Sequence, residues 1–212
     1  MKNLKSKVVL LGASLLLWGC GNATSQVNTT LQNVQDTLPT VIQHLNDIQS
    51  VEAQLQSDWE AEISQDLEMK TFETGKGAVF ENIAKRKESF KQLKEQTKKL
   101  ATFAESLTKE KDESLPLAEL QIITGTLNQI VTALNDYITM AEPQLESELV
   151  FFKSLSGKTI TYDSLNTEIV NINNQAMERQ AILEKLNEPL KNIDKPIRIA
   201  KARLATQLES SK

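Results

Sequence analysis

Two side chains in this 212-residue sequence are the only ones of their type, Cys20 and His44, and both belong to residue types that carry chemistry. As the sole cysteine, Cys20 has no partner for an intrachain disulfide and no second thiolate for metal or redox work, so its remaining chemistry is that of a single alkylatable thiol. His44 adjoins Leu45, with no second histidine and no carboxylate pair at ligand spacing, and reads as a flank residue of a helix. The sequence displays no glycine-rich phosphate loop and no serine on a strand-to-helix elbow. It offers no catalytic residues, calls for no cofactor or metal, and points away from an enzyme.

What surrounds Cys20 gives the thiol a purpose. Met1 to Lys7 is short and basic, Val8 to Leu17 is an apolar run, and Leu17, Trp18 and Gly19 lead into the cysteine. A ten-residue helix rises only ~15 Å against a hydrocarbon core of ~30 Å, so the run is a secretion signal and not a membrane span. Leucine three places before the cysteine and glycine just before it resemble the bacterial lipobox, although Trp18 departs from the small or β-branched residue usual there. The resemblance implies that the Cys20 thiol receives a diacylglyceryl group, later joined by further acylation such as palmitate, and that a peptidase removes residues 1–19. An ordinary signal peptide with a chance cysteine is the alternative. Two or more acyl chains hold a protein stably on a membrane, where one alone is marginal. The expected location is therefore the extracytoplasmic face of the cell membrane. Residues 20–36 read as a lipidated terminus and polar tether, although Val27, Leu31 and Val34 could extend a helix through it.

Charge is segregated along the chain. Loss of residues 1–19 removes Lys2, Lys5 and Lys7 and no acid, so 24 basic residues become 21 against 28 acidic ones, a net charge of −7. Such a balance gains nothing from the counterion release that drives nucleic-acid binding. Glu52 to Glu73 carries seven acids against Lys70 alone, whereas Lys85 to Lys99 is strongly basic. The basic stretch supplies candidate contacts to an anionic polymer: Lys85, Arg86, Lys91, Lys94, Lys98 and Lys99. The plainer reading is that acidic helix one pairs with basic helix two, with each exposed pair contributing only ~0 to 1 kcal/mol.

The elements that must carry these residues are helices. Aromatic residues make up 5% of the chain, glycine and proline are sparse, and 40% is apolar, a composition suited to long helices with a buried core. Asp36 to Pro39 reads as a helix start, and Val41, Leu45, Ile48, Leu55 and Trp59 continue a stripe that fades near Leu67. Phe72 to Gly77 breaks the pattern. Ile83, Arg86, Phe90, Leu93, Thr97, Leu100, Ala104 and Leu107 define the inward face of a second helix. After the polar turn Lys109 to Ser114, a third helix carries Leu120 to Ala141 at the same spacing, and Leu145, Leu149, Phe152 and Leu155 continue it past a kink at Pro143. Gly157 ends it, Thr161 caps the next, and a stripe from Leu165 to Leu204 runs over five heptads with Arg179 its one polar member. Pro189 and Pro196 should bend that last helix without ending it. The expectation is an all-α fold, an elongated antiparallel bundle of about four long coiled-coil-like helices over residues 37–212.

Asn82 to Leu100 (NIAKRKESFKQLKEQTKKL), Glu148 to Leu155 (ELVFFKSL) and Leu165 to Gln175 (LNTEIVNINNQ), following a lipobox, resemble the YkyA-like lipoproteins of Gram-positive bacteria, a family to which cell-wall binding is ascribed. The resemblance implies a non-enzymatic envelope lipoprotein that contacts wall polymer or an envelope protein, and it carries over only the lipid-bearing Cys20. Pro189, Pro196 and a weaker basic character depart from the family's pattern. Two other classes compete. A toxin-like or pore-forming bundle would need a long apolar segment, yet the best after the signal, Leu149 to Phe152, has four residues. A precursor whose signal fragment acts as a peptide pheromone would release Ala13 to Gly19.

Overall fold

The computed structural model describes residues 17–157 and 160–210, with side chains from residue 23 to 209 within those limits. Most of the expected signal, residues 1–16, lies outside the described residues. The elements are α1 (Leu17–Glu52), α2 (Leu55–Gln65), α3 (Lys70–Thr74), α4 (Ala78–Lys109), α5 (Leu117–Ser154), α6 (Tyr162–Asn192) and α7 (Asp194–Ser210). Among the described residues there is no strand, and four helices of 31 to 38 residues pack side by side, as an all-α bundle requires.

Chain order alternates their direction. One end of the bundle holds the start of α1, the α4–α5 turn and the end of α7, where Lys201 Nζ donates to Gln35 Oε1 at 2.8 Å and Arg203 reaches Glu119 at 3.0 Å. The other end holds α2, α3, the α5–α6 turn and the start of α6. At a rise of ~1.5 Å per residue the 36 residues of α1 span ~54 Å between them.

The expected inward positions of the second and third helices are buried throughout, Ile83 to Leu107 on α4 and Leu120 to Ala141 on α5. Arg86 and Thr97 are buried with their apolar neighbours. Thr97 manages this by donating its hydroxyl to the Leu93 carbonyl at 2.8 Å. Thr161 caps α6 in a reciprocal box with Ser164.

Three boundaries differ from expectation. Residues 24–36 are not a free tether: Val27, Leu31 and Val34 are at most 1% exposed, so the first helix begins well before Pro39, which sits inside it. Their three- and four-residue spacing buries a face against α4, and that burial outweighs the polar composition around them.

The first helix stops at Glu52 although no glycine or proline stands there. The Val51 carbonyl, which would accept the Leu55 N–H in an unbroken helix, instead accepts from the Asn82 side chain (2.6 Å) and from the Gln54 N–H (3.1 Å). The last helix divides at Ile193. Pro196 lies in the first turn of α7, where its missing N–H costs nothing, whereas in an unbroken helix it would leave the Asn192 carbonyl without its bond.

The turn between α3 and α4 uses left-handed backbone at Gly75 (φ 66°) and an extended positive φ at Gly77 (121°). Glu62 Oε2 accepts the Val79 N–H at 3.0 Å, so a carboxylate from α2 caps the first turn of α4 and meets its positive dipole end.

Candidate functional site

The polar interruptions in the apolar stripes converge. Arg86 on α4 donates Nη1 to Glu148 Oε1 at 3.2 Å, places Nη2 on Oε2 of the same carboxylate, and donates Nε to Asn82 Oδ1 at 2.9 Å. Asn82 in turn donates to Asp58 Oδ2 at 2.8 Å. Arg179 on α6 bonds Gln144 and Glu52, and its Nη2 stands 3.9 Å from Glu148 Oε1. Arg86, Arg179 and Glu148 are each no more than 3% exposed at the side chain. Two guanidinium charges thus face Glu148 and the partly exposed Glu52, a neutral set that links α1, α4, α5 and α6, and Asn82 ties it to Asp58 of α2.

The Tyr137 hydroxyl is buried without a hydrogen-bond partner. Burial, aided by the Glu52 charge, pushes the phenol well above its usual range, against the opposing pull of Arg179 and Arg86.

Arg86 is therefore not available to a ligand, and the expected basic face loses it. Lys85, Lys91, Lys94, Lys98 and Lys99 are exposed on α4. Their partners are not the acidic residues of the first helix. Lys94 Nζ lies 2.7 Å from Glu142 and Lys87 Nζ 2.6 Å from Glu146, both on α5, while Lys91 stands 3.9 Å from Glu88 on its own helix. Lys99 donates to Gln96 at 3.2 Å. Among the described residues Lys85 and Lys98 make no ion pair. The acidic residues between Glu52 and Glu73 gather instead at the end of the bundle away from the start of α1.

Cys20 lies in the first turns of α1, so the helix that carries the expected lipid site runs without a break into the packed core. His44 is half-buried on α1, and among the described residues no three His, Cys, Asp or Glu side chains gather as a metal site. No helix among them is long and apolar enough to cross a membrane.

The bundle is not closed on every side. α1 packs on α4 and α7 but stands away from α6, leaving an open seam. Two cavities follow it. One of about 260 Å³ lies between Leu45, Asn46 and Gln49 on α1 and Gln180, Leu183 and Asn187 on α6. The other, about 470 Å³, lies between Leu55, Gln56 and Trp59 on α2 and Ile169, Ile172 and Asn173 on α6, floored by Phe151 and Phe152. The Arg179–Glu52 pair crosses the seam between them. The α6 positions expected to be inward, Leu165, Ile169, Ile172 and Ala176, are consequently only half-buried.

Sequence reasoning did not find Glu148 or this seam. The signal for Glu148 was present: at three-four spacing from Ala141, Leu145 and Phe152 it occupies an inward position, and inward Arg86 needs a counter-charge.

Long antiparallel helices around a buried ionic cluster, with the lone cysteine in the first turns of α1, define an all-α bundle protein. The chain belongs to the YkyA family, whose model, described as “Putative cell-wall binding lipoprotein”, matches residues 22–198. That match covers the bundle nearly whole. No curated protein and no solved structure matches the chain.

Proposed function

We propose that the chain is a non-enzymatic, lipid-anchored stalk of the cell envelope, held to the outer face of the membrane through Cys20 and contacting anionic wall polymer through the lysines of α4. Acyl chains on Cys20 would fix the end of the bundle where α1 begins, and the acidic end with α2 and α3 would stand ~50 Å out, the rise of the helix from Cys20 to Glu52. Family membership supports the envelope and the wall. The observation that carries the polymer contact is the exposure of Lys85, Lys91, Lys94, Lys98 and Lys99 along one helix, with Lys85 and Lys98 unpaired among the described residues. Cations exposed along a stiff helix suit a polyanion, and their attraction is screened by salt. The buried arginines and Glu148 satisfy one another and reach no surface, so they hold the helices together and offer no group to a substrate.

The test is sedimentation of the soluble chain from residue 20 onward, carrying Cys20→Ser, with purified Gram-positive cell walls. Among the described residues every buried one lies between Thr24 and Leu204, so this chain retains the described core. Pelleting with intact walls that weakens in high salt, on removal of the anionic polymers, or in Lys91→Glu/Lys98→Glu is the expected result. A chain that remains in the supernatant with every wall preparation would overturn wall contact in favour of a protein partner.

A further inference from the structure

The larger cavity of the open seam has a composition different from the lysine face. Of the residues around it only Glu52 is charged, and Arg179 holds that charge. Trp59, Phe151 and Phe152 supply aromatic surface, Ile172 and Ala176 an aliphatic wall, and Gln56 and Asn173 carboxamides on opposite sides. Trp59 Nε1 is withdrawn from the surface, so the indole offers ring atoms to the groove. The smaller cavity of the seam repeats the pattern, with Asn46, Gln49, Gln180 and Asn187 rimming leucines.

We infer that the groove between α2 and α6 binds an uncharged glycan segment bearing acetamido groups. Sugar C–H faces pack on aromatic rings, and an acetamido methyl fits an aliphatic wall. Its amide presents both a donor and an acceptor to the exposed carboxamides of Gln56 and Asn173. The absence of an uncompensated charge in the groove selects against a polyanion, so this site differs in chemistry from the lysines of α4.

Size argues against a helix as occupant. The cavity of about 470 Å³ lies within the ~300 to 1,000 Å³ of small-ligand sites, whereas a groove that seats a helix extends over several turns of ~5.4 Å each. The inference rests on the wall-contact reading only for the source of the glycan, the neutral strand of the wall.

The two can be tested apart. In the soluble chain from residue 20, Trp59 is the sole tryptophan, so its fluorescence reports the groove directly. Titration with a β-1,4-linked N-acetylglucosamine tetramer is expected to give a saturable change in emission. A glucose tetramer should give a much weaker one. Ala176→Phe, which fills the groove, should abolish the response. The exposed Asn173→Ala should weaken it roughly 2- to 12-fold, the equivalent of one neutral hydrogen bond. Lys91→Glu/Lys98→Glu should leave it unchanged.

Failure of the acetamido tetramer to change the emission, with the chain still pelleting on walls, would overturn this site and leave the wall reading standing. Tetramer binding by a chain that ignores intact walls would do the reverse. Equal responses to both tetramers would overturn the acetamido assignment. Self-association in the ultracentrifuge that Ala176→Phe abolishes would overturn the glycan site and make the groove a contact between copies.

Discussion

Arg86 and Glu148 face one another across the α4–α5 seam, 62 residues apart in sequence, with two guanidinium nitrogens on the two oxygens of one carboxylate and both side chains withdrawn from water. The pair is a register device. The buried apolar residues one turn away are Ile83 and Phe90 on α4 and Leu145 and Phe152 on α5, so sliding α4 past α5 by a turn would set each charge against an apolar side chain. A buried pair need not raise stability over apolar residues, but breaking one side of it is expensive. Arg86→Met should therefore cost about 3 to 5 kcal/mol in urea unfolding, and adding Glu148→Met should recover most of that. A cost below ~1 kcal/mol for the single change would show that the charge is not confined as described.

Gly77 and Glu62 are coupled. At φ 121° a side chain is strained, and a Cβ there would collide with the Glu62 carboxylate that caps α4. Gly77→Ala should destabilise by about 1 to 3 kcal/mol. Glu62→Ala, which removes the cap, should cost about 0.5 to 2 kcal/mol. Because the collision disappears with Glu62, the double variant should cost less than the sum, and a double-mutant cycle that came out strictly additive would contradict the geometry.

Tyr137 gives a pH dependence with a definite sign. Its phenol is raised in the folded protein and ordinary, near 10.0, in the unfolded chain, so above about pH 10 the unfolded state releases the proton first. Stability should be fully present below pH 10 and fall as pH rises beyond it. Tyr137→Phe should remove that share of the alkaline loss. At neutral pH the same variant should be neutral or slightly stabilising, since the hydroxyl it deletes has no partner. Chemical unfolding of both proteins at pH 7 and pH 10.5 checks it.

The first turns of the bundle offer a further test. Leu31 is 0% exposed in α1, so Leu31→Ala should cost about 2 to 5 kcal/mol, against almost nothing if residues 20–36 formed a loose tether. Thermal unfolding of the variant distinguishes the two.

These residues also locate what was legible in the sequence. On α4 and α5 the three-four spacing identified the inward faces directly, down to Arg86 and Thr97, because each helix packs against neighbours along its length. The start of α1 was hidden by Gly21, Asn22 and the threonines, whose local preferences favour irregular chain, and by Pro39, which imitates a first-turn proline. The break after Glu52 depends on Asn82, 31 residues away, and no local signal marks it. The regular heptads from Leu165 to Ala176 implied full burial, but periodicity reports which face turns inward and not whether a partner helix stands close to it. The same limit concealed the groove and sent the α4 lysines to the wrong partners: charge runs reveal sign, whereas pairing with Glu142 and Glu146 is decided by which helix lies alongside.

The account turns on an acylated Cys20 holding the end of the bundle where α1 begins, and metabolic labelling with palmitate in a Gram-positive host tests it most directly. It predicts label on the wild-type protein in the membrane fraction, and an unlabelled Cys20→Ala protein that is no longer retained there. An unlabelled wild type, or equal labelling of Cys20→Ala, would contradict it.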